Sequence, residues 1–301
     1  MDTFTRFEKH LQMRDYSPTS IKGYWGDVRH FSRWYEHHTE QSFSLERMDV
    51  GDIQAYRQSM LSRGLKPNTI NRRLAALAIF GSWAVEVGHL PQNPALHIRS
   101  LDSVSLAPKW LDKKRRAAIV RAAKDDLVMA KKRYPRLWLM RLRDSAIVIT
   151  LLHTGLRVHE LCKLSLDDVE ISARKGQTTV TGKAFKQRTI PLSEPARAML
   201  RQWLKHRPSS ERNALFINQR GAPLKSRSVQ RAVKRIANAA GLDGDVTPHT
   251  LRHTFAKSLI DEGVSLEKVA KLLGHSNLNT TRVYVTPSKQ DLEEAVGRLS
   301  Y

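Results

Sequence analysis

The chain has 301 residues, 41% of them hydrophobic and 27% charged, which is too apolar for intrinsic disorder and long enough for two domains with cores of their own. Its 51 Lys and Arg against 29 Asp and Glu leave a formal charge of +22 and a pI near 10.4, an excess that repels itself unless a polyanion neutralises it, and nucleic acid is the commonest such partner. No run approaches the roughly 18 apolar residues of a membrane span, the acidic Met1-Asp2 start lacks a signal-peptide pattern, and a single cysteine excludes an internal disulfide; a cytoplasmic, nucleoid-associated protein is expected.

The first hundred residues read as four helices without a strand. The first covers roughly Thr3 to Arg14. The second opens at Ser17-Pro18, an N-cap followed by the proline that suits the first helical position, and runs to about His37. Its residues Ile21, Tyr24, Val28, Phe31 and Tyr35 form one apolar stripe, whereas Lys22, Arg29 and Arg33 share a separate basic stripe, a candidate phosphate contact. A third helix is predicted from Val50 to Ser62, before Gly64, and a fourth from Asn68 to Val87, before Gly88. Arg72 and Arg73 near the start of the fourth have two open readings, solvated surface or DNA contact beside a helix N-terminus. Pro91 and Pro94 end the helical pattern. Residues 100–109 look like an extended linker, which sets the expected domains at 1–99 and 110–301.

The second domain begins with a basic helix near Lys113 to Lys124, and the apolar run Ala146 to Leu152 reads as a buried helix stopped by Gly155. Cys162, in an apolar setting, reads as a buried small hydrophobe rather than a reactive thiol. Short β-like stretches follow at Val169–Ser172, Thr178–Thr181 and Arg188–Leu192, the last two forming a hairpin with a basic tip. Helices are then predicted over Glu194–His206, Ser228–Ala240, Pro248–Glu262 and Leu266–Leu273, and a last one over 288–299. The fold class expected is mainly α with a small β-sheet or hairpin.

The chemistry concentrates in four places. Thr247-Pro248 starts a helix on whose first turn His249 and Arg252 share a side, with Leu251, Phe255 and Leu259 as the anchoring stripe. His249 and His253, four apart, also have the spacing of zinc ligands, but no glutamate of the HExxH kind and no third ligand accompany them. Arg157 follows a buried helix and a glycine break, a costly place for a cation unless it binds an anion or carboxylate. Finally, Leu273-Gly274-His275-Ser276 is a helix stop followed by an imidazole, and nine residues later stands Tyr284.

Taken in order, Thr154-Gly155-Leu156-Arg157 with Glu160-Leu161, the hairpin Gly182-Lys183, His249 with Leu251-Arg252-His253-Thr254, the Leu273–Ser276 tetrad and Thr281 with Tyr284-Val285 resemble the tyrosine recombinase (phage integrase) family, closest in layout to Xer-type and transposon-encoded members. The match is strong over about 145–290; the N-terminal region is similar to the family's core-binding domain in size and pattern. The resemblance implies a two-domain C-shaped clamp and an active site of Arg157, Lys183, His249, Arg252, His275 and Tyr284, with no cofactor and no metal. Physically, two forked guanidiniums and His275 would stabilise the charge on the non-bridging oxygens, Tyr284 is the nucleophile with His249 as its base, Lys183 is the general acid, and Glu160 holds an arginine.

The resemblance implies strand cleavage and rejoining through a 3′-phosphotyrosine without metal or ATP, on double-stranded DNA with an inverted-repeat core site. It also implies a synaptic tetramer, its last helix docked on a neighbour, and an accessory DNA-bending protein or partner recombinase as a candidate companion. Type IB topoisomerase or telomere-resolvase activity, or DNA binding without catalysis, are the alternatives. Two departures stand out. Ala184 replaces the usual second glycine of the hairpin, which makes Lys186 a second candidate acid beside Arg188 as a DNA contact, and residues 125–142 look longer than in the shortest relatives, a candidate additional contact with DNA or a partner.

Overall fold

The computed structural model describes residues 2–102, 109–182, 187–242, 244, 246–275, 277–285 and 296–297. Lys183 and Lys186, most of the linker and nearly all of the last predicted helix lie outside the described residues. The chain divides into two compact units, 1–106 and 107–301.

The first unit is a bundle of α1 (Thr3–Met13), α2 (Pro18–Thr39), α3 (Val50–Ser62) and α4 (Pro67–Glu86), with a single 3-10 turn at Leu45–Arg47 that the sequence did not announce. Each start has a local cause. Asp2 and Ser17 accept from Thr5 and Ser20 N–H, Asp49 and Asp52 form a reciprocal capping box, and Pro18 and Pro67 open α2 and α4. The helices close on Phe7, Leu11, Val28, Phe31, Ile53, Tyr56, Ile70, Leu77 and Phe80, with edge-on ring contacts of 5.0 Å (Phe7–Phe80) and 5.1 Å (Phe31–Tyr56) between centroids.

In the second unit α5 (Lys113–Arg133), α8 (Glu194–His206), α9 (Ser226–Ala239) and α10 (Pro248–Asp261) all pack on α6 (Pro135–Thr154). That arrangement explains why α6 is buried around its whole circumference from Ser145 to Leu152. Beside it lie α7 (Val158–Lys163), α11 (Leu266–Leu273), α12 (Asn279–Arg282) and an antiparallel sheet of β1 (Val169–Ile171), β2 (Gly176–Thr181) and β3 (Gln187–Pro191), in the order β1-β2-β3. Val180 pairs with Arg188 and Thr178 with Ile190, so Val180 and Ile190 face the core.

The first helix of this unit runs nine residues beyond the sequence expectation of Lys124, because Leu127 and Ala130 continue the inward stripe of Ile119, Ala122 and Ala123 beneath a dense run of charge. Residues 125–142 are therefore the end of α5 and the beginning of α6, joined at Tyr134-Pro135. Arg235 of α9 binds Asp126 of α5 (2.7 Å) and Asp144 of α6 (3.1 Å), tying the three helices together. Cys162 is half-buried against the main core, and its surroundings raise the thiol's pKa.

A satellite cluster completes the unit: Ala256, Val269, Leu273 and Tyr284, flanked by Phe255, Leu259, Ile260, Val264 and Val283. The stripe expected to anchor α10 thus divides, Leu251 into the main core and Phe255 and Leu259 into this cluster. Among the described residues, no helix is long and apolar enough to cross a membrane.

Candidate active site

The site begins at the end of α6. Gly155 adopts a left-handed conformation (φ 61°), and a Cβ there would run into the Phe255 ring, so only glycine satisfies both backbone and packing. The turn delivers Arg157 to the start of α7. There the Glu160 carboxylate accepts from the Arg157 backbone N–H (2.8 Å) and from its guanidinium (3.0 Å). Arg188 of β3 grips the other side of the same carboxylate with both terminal nitrogens, at 3.0 and 2.8 Å. Burial alone would raise the Glu160 carboxyl, yet the Arg188 and Arg157 donors prevail and hold it down to about 2.

A second anchor is the C-terminus of α11, where Gly274 (φ 66°) ends the helix and leaves carbonyls without intrahelical partners. Arg188 Nε donates to Leu272 O (2.9 Å), while Arg252 (2.7 Å) and Arg157 (3.4 Å) both donate to Leu273 O. One helix end therefore holds three guanidiniums. Arg252, only 3% exposed, also donates to Gly155 O (2.6 Å) and approaches His275 Nε2 (3.0 Å). Burial foremost, then the charges of Arg157 and Arg188, bring Arg252 down to about 10, so it stays cationic at neutral pH.

The contact between Arg252 and His275 fixes a tautomer. A guanidinium only donates, so His275 Nε2 is the bare nitrogen and Nδ1–H donates to Thr281 Oγ1 (2.8 Å). Burial, with Arg252 next, takes this imidazole down to about 4. In this state His275 accepts from Arg252 and orients its guanidinium.

Tyr284 is 1% exposed, closed in by the satellite cluster, and its hydroxyl lies 2.7 Å from His253 Nδ1. Burial raises the phenol, while Arg252 and Arg157 act in the other direction. The hydroxyl partner is thus His253, where the sequence reading put His249. His249 stands exposed one turn earlier on α10, with its ring centroid 6.4 Å from that of His253. The Thr247 cap, in reciprocal hydrogen bonds with Thr250, and Pro248 start this helix as expected. The sequence signal for His253 is its place next to Arg252 in the motif. Among the described residues, no group of three or more His, Cys, Asp or Glu could hold a metal ion.

The structure therefore brings Arg157, Glu160, Arg252 and His275 into one connected network, ties Tyr284 to the helix that carries Arg252, and adds Arg188 and His253. Arg188, expected as a DNA contact, instead has all three guanidinium nitrogens on protein acceptors.

In the first unit Lys22, Arg29 and Arg33 are exposed along α2, with Arg29 over the Trp25 ring at 4.5 Å. Arg72 and Arg73 part company. Arg72 is half-exposed and pairs with buried Asp27, whereas Arg73 is 16% exposed, 3.9 Å from Asp27 and 3.7 Å from the Met60 sulfur, and its Nε meets no hydrogen-bond acceptor among the described residues. Burial raises the Asp27 carboxyl against the pull of these two arginines.

Residues 109–291 match the Phage integrase family, and residues 4–87 match the phage integrase N-terminal SAM-like domain. Over 299 residues the chain is 34% identical to a tyrosine recombinase XerC of Alcanivorax borkumensis, covering 98% of this chain and 92% of that one. It is likewise 34% identical over 281 residues to the XerC of Corynebacterium efficiens, covering 93% and 84%. The chain belongs to the phage integrase family. The recombinase has the fold of XerH site-specific recombinase bound to palindromic difH substrate (TM-score 0.77, 23% identity, 98% of this chain and 84% of that one). It is similar too to a lambda integrase dimer bound to a COC′ core site (TM-score 0.69, 22% identity, 94% and 93%). Its activity is site-specific DNA recombination, carried by a mainly helical two-domain fold with one small sheet.

Proposed function

We propose that this recombinase cleaves and rejoins DNA through a 3′-phosphotyrosine on Tyr284, with Arg157, Lys183, His249, Arg252 and His275 completing the site and neither metal nor ATP required. The observation that carries the reading is the shared α11 carboxyl end. It holds Arg157 and Arg252 side by side on Leu273 O, an arrangement suited to the two non-bridging oxygens of one phosphodiester. Arg157, 32% exposed, keeps a face open to that anion. Exposed His249 can meet the same phosphate, and Lys183 supplies the proton for the leaving 5′ oxygen. The phosphotyrosine ester conserves the energy of the broken bond, so a DNA hydroxyl reverses the step.

The first unit would act as a core-binding domain, with Lys22, Arg29, Arg33 and Arg72 on phosphates. A double-stranded site with inverted repeats, a synaptic tetramer, an accessory DNA-bending or partner recombinase, a cytoplasmic, nucleoid-associated location and a role in a mobile element complete the proposal. XerH bound to palindromic difH substrate and a lambda integrase dimer bound to a COC′ core site support a DNA site as the partner.

The test is incubation of the full chain with labelled duplexes from its own genetic neighbourhood, in EDTA, followed by a denaturing gel. A slower, protease-sensitive species that Tyr284→Phe lacks is expected, and its DNA end maps the site. Specific binding without that species, even on nicked suicide duplexes, would overturn autonomous catalysis. Relaxation of any supercoiled plasmid without paired sites would favour a topoisomerase.

A further inference from the structure

The known reaction needs an acceptor for the proton of its nucleophile, and the exposed imidazole of α10 is not the one at Tyr284. We propose that His253 is a catalytic residue of this recombinase: it holds the Tyr284 hydroxyl in its buried position and takes its proton through Nδ1 as the phenol attacks. The inference rests on Tyr284 being the nucleophile, as proposed above.

Three observations carry it. The Oη to Nδ1 distance of 2.7 Å is that of a good hydrogen bond to the reacting atom itself. The two rings stand 5.6 Å apart at 50°, with Tyr284 walled in by Ala256, Val269 and Leu273, so the pair is held by packing as well as by the bond. The two histidines of α10 also differ in exposure: His249 is open to solvent, where an incoming phosphodiester would meet it, and His253, its ring centroid 6.4 Å away, is partly buried. Position thus assigns them separate tasks, His249 to the phosphate and His253 to the nucleophile.

Burial, then His249 and Arg252, bring His253 down to about 4, which keeps it neutral and able to accept a proton at physiological pH. The negative phosphodiester would offset part of those positive charges and raise its basicity when DNA is in place. In the step itself the Oη–P bond forms and the P–O5′ bond breaks. The Oη proton passes to His253 Nδ1, whose Nε2 already carries the ring's other hydrogen, and the leaving 5′ oxygen takes a proton from Lys183. In rejoining, His253 returns the proton to Tyr284.

The test uses the full chain and a nicked suicide duplex carrying the site mapped with the wild-type protein, with single-turnover formation of the covalent species as readout. His253→Ala should slow cleavage at least about 100-fold, the scale of a lost general base, with DNA affinity changed less than about threefold. His253→Gln, which keeps a polar partner for the hydroxyl but cannot take up a proton at neutral pH, should slow it comparably and covers the case in which the alanine variant does not fold. A trifluorotyrosine at position 284, whose phenol ionises more readily, should recover at least about tenfold of the His253→Ala or His253→Gln loss and should not rescue His249→Ala. Cleavage by His253→Gln at the wild-type rate, or a loss that trifluorotyrosine leaves unchanged, would overturn the assignment. Absence of the covalent species with wild-type protein would instead overturn the reading of Tyr284 on which it rests.

Discussion

Glu160 is a carboxylate with two arginines as its side-chain partners. Buried and held down to about 2 against a usual 4.5, it binds fewer protons folded than unfolded through that interval. Its contribution to stability is therefore complete above about pH 4.5 and is lost as pH falls toward 2. Glu160→Gln should cost about 3 kcal/mol in urea unfolding at pH 6, in the range for breaking a buried ion pair, and the gap to wild type should close on acidification below about pH 4.5. A gap independent of pH would mean that the carboxylate's charge contributes nothing. Arg188→Lys, which loses the fork, should slow formation of the covalent species more than it weakens DNA binding, because the Glu160 carboxylate that also holds Arg157 would lose its bidentate clamp.

At the same scale, legibility divided along chemical lines. Arg157, Glu160, Arg252, His275 and Tyr284 each sit in a short motif whose spacing has a local meaning, and the structure joins the first four through hydrogen bonds. Arg188 and His253 meet Glu160 and Tyr284 across 28 and 31 residues of chain, and pairing over such distances leaves no periodicity in the sequence. Arg72 and Arg73 illustrate the same limit: adjacent in sequence, they are separated only by which one the helix turns toward Met60.

Elements were most legible where their ends are chemically marked. Ser17-Pro18, Thr247-Pro248 and Gly274 set α2, α10 and the end of α11 to within a residue or two. The extension of α5 to Arg133 was obscured because Asp125, Asp126, Lys131 and Lys132 hide an alanine-rich inward stripe. Gly155 is the element boundary on which the site depends. With φ at 61° and Phe255 against it, Gly155→Ala should cost about 1–3 kcal/mol from the backbone alone and more from the contact. Urea titration would show a lower midpoint with unchanged slope, together with loss of the covalent species. Normal cleavage by this variant would show that the turn does not set the position of Arg157.

For the whole molecule, a charge of +22 makes binding to DNA an exchange with counterions. Log affinity should fall linearly with log salt by about 0.9 for each phosphate engaged. Replacing Lys22, Arg29 or Arg33 by alanine should each reduce that slope by about 0.9 if the residue contacts a phosphate. Arg73→Ala should leave the slope unchanged and lower thermal stability instead, since its guanidinium is largely buried. A smaller slope for Arg73→Ala would place that side chain on DNA in the complex. Fold class and the division into two domains were visible from charge, helix periodicity and one linker.

The acceptors that gather the three arginines are main-chain carbonyls, those of Leu272 and Leu273. Such groups cannot be deleted by exchanging side chains, so the genetic robustness of this assembly should be lopsided. Apolar replacements at 272 and 273 would leave the cationic cradle in place, whereas any non-glycine residue at 274, where a Cβ would come within 2.9 Å of Arg188, would break it. A mutational scan should find the most intolerant position of this segment at the one residue that has no side chain.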